Sequence, residues 1–193
     1  MDFKELVKKA RSYRRFDESR PVGLDKLVDV VDTVRYVPVS VNRQALRFAV
    51  CADPALTATL SGMMGWAGLL KEWGGPKEGE RPTGFIVIGC VGEDNKMTRA
   101  DMGIAAQTMQ LALAAEGIGC CLIGNTKMEE VGKLVGMPED VTTLIVLAVG
   151  YPNETIVLDE VDANAPTAYW RDAQDHHHVP KRTLDVVLVS RRG

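Results

Sequence analysis

Residues 101–116 leave a helix almost no polar face. Met102, Ile104, Ala105, Met109, Leu111, Ala112, Leu113 and Ala115 spread around the whole circumference at the helical period. A helix of this kind is stable only inside a layer of other elements, so the segment predicts a buried central helix. Asp101 is its expected N-cap and Gly117 its expected stop. Two further segments agree. Residues 85–91 and 143–149 are nearly continuous apolar runs rich in Val and Ile, which suits strands covered on both faces. Shorter strands are predicted over 47–52 and 120–123. Helical periodicity appears over 3–10 and 24–36, the latter with Leu24, Leu27, Val28, Val31 and Val34 on one face. A helix over 53–64 opens with a capping Asp53 and Pro54 at the first helical position. Another runs over 128–135. Helices and strands mix into one α+β domain spanning 1–193. Residues 71–83 are a long polar loop, part of a candidate lid over 65–84. The tail, 183–193, carries Val186, Val187, Leu188 and Val189, an apolar strand-like run that needs a covering surface.

Charge and hydropathy remove several classes of function. A net charge of -3 over 193 residues gives no overall basic character for nucleic acid. The longest apolar stretch, 144–149, is far short of the ~18 residues of a membrane helix. The opening Met1-Asp2-Phe3-Lys4-Glu5 is charged where an export signal needs an apolar run, so a cytoplasmic location is expected. Cys51, Cys90, Cys120 and Cys121 show no C-x-x-C spacing and read as small buried hydrophobes, with no structural disulfide.

Four clusters carry chemistry. Arg11, Ser12, Arg14 and Arg15 crowd guanidinium and hydroxyl donors at the end of the first helix. That is either an anion site or a solvated basic turn balanced by Asp17 and Glu18. The loop Pro38-Val39-Ser40-Val41-Asn42-Arg43-Gln44 sets donors and acceptors at alternate positions, or else satisfies its own backbone as a turn. The segment 117–125 leaves a helix, runs through a buried strand and ends at Gly124, where a flat ligand can approach the backbone or a bulge can form. His176, His177 and His178 lack the spacing of a metal site, and the adjacent Lys181 and Arg182 are candidate anion contacts.

Taken in order, R-S-x-R-x-F at 11–16, P-x-S-x-N-x-Q at 38–44, D-M-G-I-A-A-Q at 101–107, G-I-G at 117–119 and V-G-Y-P at 149–152 resemble the nitroreductase superfamily across nearly the whole chain. The segment from Ala168 to Arg182 resembles a poorly characterised bacterial subgroup. The resemblance implies a central, mostly antiparallel sheet flanked by helices in an intertwined homodimer, with FMN at the interface. It assigns the FMN phosphate to Arg11, Ser12 and Arg14, joined by Lys181 and Arg182. The ribityl chain and ring edge fall to Val39, Ser40, Asn42 and Gln44, and N5 to the backbone of Ile123 and Gly124. Trp66, Trp73, Tyr169 and Trp170 are candidate substrate-stacking residues or core aromatics. No catalytic side chain and no metal ligand is assigned, because the flavin carries the reaction.

The implied activity is ping-pong transfer from NADH or NADPH to nitroaromatic, quinone-like or related flat acceptors. The alternatives are a specialised flavin enzyme, such as a dehalogenase or a flavin-fragmenting enzyme, and a non-enzymatic FMN-binding sensor. A metal or thiol enzyme using the histidines with Cys120 or Cys121 ranks last. The chain departs from the family at three places: Ala10 where Arg is common, Ala45 where Pro is usual, and Gly124 where Glu often stands. The first leaves open which of Arg11, Arg14 and Arg15 closes on the phosphate.

Overall fold

The computed structural model describes residues 1–193, which divide into two compact units: 1–66 with 74–153, and 67–73 with 154–193. The first unit contains α1 (Phe3–Lys9), α2 (Leu24–Val34), a 3-10 turn (Ser40–Asn42), β1 (Leu46–Cys51), α3 (Pro54–Met63), β2 (Gly84–Val91), α4 (Lys96–Ala115), β3 (Gly119–Ile123), α5 (Met128–Leu134) and β4 (Val141–Gly150). Its four strands form one antiparallel sheet in the order β1-β2-β4-β3. The two apolar runs are the two central strands, and both their faces are buried. Ile86, Ile88, Leu147 and Val149 face a core with Leu27, Val30 and Val34 of α2 and Ala105, Met109 and Leu113 of α4. Phe85, Val87, Val146 and Ala148 alternate to the other side and are buried there. A register shift between Ile88 and Gly89 marks a bulge opposite Leu144.

The central helix differs from expectation at its start and around its circumference. It begins at Lys96, and its cap is Asn95, whose side-chain oxygen accepts from the amides of Met97 at 3.0 Å and Thr98 at 3.1 Å. Asp101 therefore lies inside the helix. Its stop is as expected, with Gly117 at φ 76° just beyond the last turn. The helix buries Ala105, Ala106, Met109, Leu113 and Ala114, but Gly103, Ile104 and Gln107 are exposed. One covered face, not a covered circumference, is what this single chain supplies. The core stripe of α2 also differs: it runs through Leu27, Val30 and Val34, while Leu24 and Val28 are exposed. Helix α3 starts as its sequence requires, with the Asp53 carboxylate accepting from the Leu56 amide at 2.8 Å and Pro54 next.

In the second unit β5 (Ile156–Val161) runs parallel to β7 (His177–Arg182), which pairs antiparallel with β6 (Trp170–Arg171). The carboxylate of Glu154 is buried and holds Arg171 at 3.0 Å; the Arg171 guanidinium lies 4.5 Å from the Trp73 ring centre. The hydroxyl of Tyr169 accepts from the Leu69 amide at 3.2 Å, which ties residues 67–73 to this small sheet. The apolar tail is not a strand. It makes a single helical turn, α6 (Leu184–Val187), with Leu184, Val187, Leu188 and Val189 exposed. In the chain alone no strand edge receives it.

Candidate functional site

The segment after α1 is stitched to the first strand residues of β3. Ser12 forms a parallel bridge with Cys120, and the Tyr13 amide donates to the Cys120 carbonyl at 3.1 Å. The Tyr13 ring lies against the β3 backbone: a Cβ on Gly119 would fall 2.6 Å from its Cδ2. Phe16 is fully buried, bridges Pro152, and donates its amide to the Glu80 carbonyl at 3.0 Å. This anchoring sorts the three arginines. Arg15 is drawn to the Glu80 carboxylate, with Nε at 3.6 Å. Arg11 donates from Nε to the Ala10 carbonyl at 2.8 Å, and Arg14 from Nη1 to the Ser12 carbonyl at 3.1 Å. Both are half-buried. Arg15 thus faces the 79–80 turn, while Arg11 and Arg14 bond carbonyls of their own segment.

The 38–44 loop is held in an uncommon shape. Val41, Asn42 and Gln44 have φ of 44°, 53° and 50°, in the left-handed region that L residues rarely occupy. Clustered outliers of this kind concentrate at ligand-binding positions. Val39, Asn42 and Gln44 line a cavity of about 480 Å³ together with Val37, Leu46 and Phe48. The Ser40 amide donates to the Asp101 carboxylate at 2.8 Å, and Asp101 is only 4% exposed.

At the far end of β3, Ile123 is buried and Gly124 is exposed, with nothing within 4 Å of where a Cβ would stand. The following turn is fixed to the end of α3. Gly65 donates its amide to the Asn125 carbonyl at 2.7 Å, and the Thr126 hydroxyl donates to the Met63 carbonyl at 3.0 Å. Cys120 and Cys121 fall on opposite faces of the strand, neither in a disulfide, and burial pushes the Cys120 thiol far up. That leaves Cys120 no nucleophilic thiolate.

Lys181 and Arg182 lie on β7 of the second unit, where Arg182 Nη1 donates to the Asp162 carbonyl. The histidines there are used internally. His178 sits between two carboxylates, with Nδ1 2.9 Å from Asp159 and Nε2 3.3 Å from Asp172, and stacks on Trp170 at 4.2 Å. The hydrogen bond to Asp159 raises the His178 pKa against the opposing effect of burial, and Asp172 adds to the rise. Among the candidate stacking aromatics, Trp66 is buried and donates its indole N–H to the Ser61 carbonyl at 3.0 Å. Trp73 lies under Arg171, and the Tyr169 ring stands 5.1 Å from that of His177. Trp170 is the exposed one, at 48%.

The Nitroreductase family model matches residues 92–151. Over this stretch the chain is similar to the nitroreductase family. An iodotyrosine deiodinase of Thermotoga neapolitana is 25% identical over 167 residues, covering 78% of this chain and 88% of that protein. An FMN-dependent nitroreductase from Clostridium difficile R20291 superposes with a TM-score of 0.62 at 23% identity, over 77% of this chain and 87% of the other. The crystal structure of oxidised iodotyrosine deiodinase bound to FMN and 3-iodo-L-tyrosine gives 0.62 at 23%, over 78% and 89%. The matched stretch holds α4, β3, α5 and the whole of β4. It therefore includes Asp101, Ile123 and Gly124. The 11–14 segment, the 38–44 loop and the second unit lie outside it. No helix is long and apolar enough to cross a membrane.

Two features of the site escape sequence reasoning. The sequence offers Asp101 as a helix cap, and nothing in its spacing connects it to Ser40, which lies 61 residues earlier. The Gly65–Asn125 contact is equally silent, although the pairing needs a residue without Cβ at 65, where any side chain would collide with Asn125.

Proposed function

We propose that this chain is an FMN-dependent oxidoreductase that takes reducing equivalents from NADH or NADPH and delivers them to nitroaromatic, quinone-like or related flat acceptors. The observation that carries this reading is the Ser12–Cys120 bridge, which sets the Arg/Ser segment on the strand that ends at the open backbone of Gly124. Cys120 and Gly124 are four residue steps apart, a span of about 13 Å at ~3.3 Å each. A ligand with an anionic end and a flat end fits such an arrangement. Arg11, Ser12 and Arg14 would hold the phosphate, with Lys181 and Arg182 as further cations. Val39, Ser40, Asn42 and Gln44 would meet the ribityl chain and ring edge, and the Ile123–Gly124 backbone would face N5. FMN supplies the hydride and electron chemistry when bound. The chain's own residues bind and orient it, so no side-chain acid or base is assigned. Trp170, with Trp73 and Tyr169, is the candidate surface for the acceptor.

The working unit in this reading is a homodimer. Phe3 on α1 is 67% exposed and Ile104 on α4 is 41% exposed, and the tail residues Val187 and Val189 are uncovered as well. Such apolar surface is characteristic of an interface between copies. Four cysteines without a disulfide accord with a reducing, cytoplasmic compartment. The likeness to an iodotyrosine deiodinase favours one second reading, reductive dehalogenation of a halogenated aromatic. Purified protein reconstituted with FMN and treated anaerobically with NADH or NADPH tests the first. Bleaching followed by reoxidation with a quinone supports it. Turnover of 3-iodo-L-tyrosine with dithionite, without response to nicotinamide, selects the second. Bound flavin that neither donor reduces and no acceptor reoxidises selects a binding or sensing role.

A further inference from the structure

We infer that Asp101 is a positioning residue: by accepting the Ser40 amide it fixes the 40–44 turn in the shape that meets the flavin, an inference that rests on the FMN reading above. The geometry is direct. Asp101 lies more than a turn inside α4, away from the helix start, where Asn95 already caps the free amides. It neither caps its own helix nor forms an ion pair. Aspartate is a poor helix-interior residue, and burying its carboxylate opposes folding. Alanine at this position serves the helix better. What the carboxylate does instead is hold Ser40 at 2.8 Å.

The turn needs an anchor of that kind. Immediately after Ser40 come Val41 and Asn42, then Gln44, all with positive φ and none of them glycine. Val41 is 89% exposed, so apolar burial does not hold the turn. Its own backbone closes it only locally, with the Asn42 amide on the Val39 carbonyl at 3.0 Å and the Arg43 amide on the Ser40 carbonyl at 3.0 Å. Without an external tether, residues 41–44 relax toward ordinary backbone angles, and the Asn42 and Gln44 side chains leave the cavity they line. A charge-assisted bond to a buried carboxylate is a tether suited to a strained segment. Asp101 touches no ligand in this account; it acts through Ser40.

The test compares Asp101→Ala and Asp101→Asn with the wild-type chain, in the FMN-free and FMN-loaded protein. In the FMN-free protein, amide hydrogen exchange across residues 40–44 is expected to speed by about tenfold or more in Asp101→Ala, while the unfolding temperature is unchanged or higher. In the loaded protein the FMN dissociation constant of that variant rises by about tenfold. Asp101→Asn keeps an acceptor oxygen and restores both quantities to within roughly threefold of wild type. Unchanged exchange at 40–44 in Asp101→Ala overturns the inference, as does an Asn variant as impaired as the Ala variant. A wild-type chain that fails to bind FMN, with exchange at 40–44 still controlled by Asp101, overturns the flavin reading and the flavin-positioning role together. Wild-type binding matched by equal binding in Asp101→Ala overturns the positioning role alone.

Discussion

Ser12 and Cys120 are paired as neighbouring backbone positions, and this pairing brings a basic segment from the start of the chain onto the strand that follows the central helix. The same local geometry separates arginines that the sequence presents as equivalent. Arg15 turns to Glu80, while Arg11 and Arg14 bond backbone carbonyls of their own segment. Arg11→Ala and Arg14→Ala should each raise the FMN dissociation constant by roughly tenfold to a hundredfold, the worth of a charge-assisted bond to phosphate. Arg15→Ala should leave it within about threefold. Flavin fluorescence titration measures all three, and equal losses would contradict the division.

Gly124 supplies a sharper probe, because a side chain there meets open space in the protein. Gly124→Leu should fold with stability within about 0.5 kcal/mol of wild type, as for other unconstrained surface changes. A ligand lying on that backbone would meet the new side chain directly, so FMN affinity should fall by at least about tenfold. Denaturant unfolding and flavin titration, run on one preparation, separate the two effects. An affinity like that of wild type would place the ligand elsewhere.

The start of the central helix is tested through its cap. Asn95→Ala should cost about 1 kcal/mol, the usual value of an N-cap side chain, and lower the unfolding temperature by roughly 2–4 °C. If Asp101 were the cap instead, Asn95→Ala would be neutral in calorimetry.

The second unit carries a pH dependence whose sign is fixed by its carboxylates. His178 donates a hydrogen bond to Asp159 and then to Asp172, so its folded pKa lies above the ordinary 6.5. Its contribution to stability is complete below the unfolded value and is lost as pH rises through the folded one. For Asp172, burial pushes the carboxyl upward, but the His176 amide and the His178 and His176 rings outweigh it and lower the pKa below 3.8. That contribution is present above the unfolded value and lost as pH falls through the folded one. Local stability around β5–β7 should therefore be greatest between about pH 4 and 6.5. Hydrogen exchange at His177 and Val179, followed to about pH 9, should show weakening that His178→Gln removes. A His178→Gln profile parallel to wild type would contradict the assignment.

The fold was legible wherever one physical cue dominated. The Val- and Ile-rich runs at 85–91 and 143–149 could only be covered strands, and they are the central pair of the sheet. Asp53-Pro54 and Gly117 mark a helix start and a helix stop through chemistry local to one or two residues. The cue failed where two choices were close. Asp101 and Asn95 are both good caps, but Asn95 accepts from the Met97 and Thr98 amides while Asp101 accepts from Ser40, 61 residues earlier. The tail residues 186–189 are apolar enough for a strand, but no strand of the chain pairs with them and they close a helical turn instead. At the site, the residue types that bind anions were visible in the sequence. What was not visible was which arginine meets a carboxylate, because the Arg15–Glu80 pair joins positions 65 residues apart. Strain at Val41, Asn42 and Gln44 also has no composition signal, since none is glycine.

The central claim is that the chain binds FMN and passes electrons through it, and the visible absorbance spectrum tests it most directly. The purified protein, reconstituted with FMN and freed of excess, should retain a flavin band near stoichiometry. That band should bleach under anaerobic NADH or NADPH and return when a quinone is added. A protein that emerges colourless after reconstitution would contradict the account.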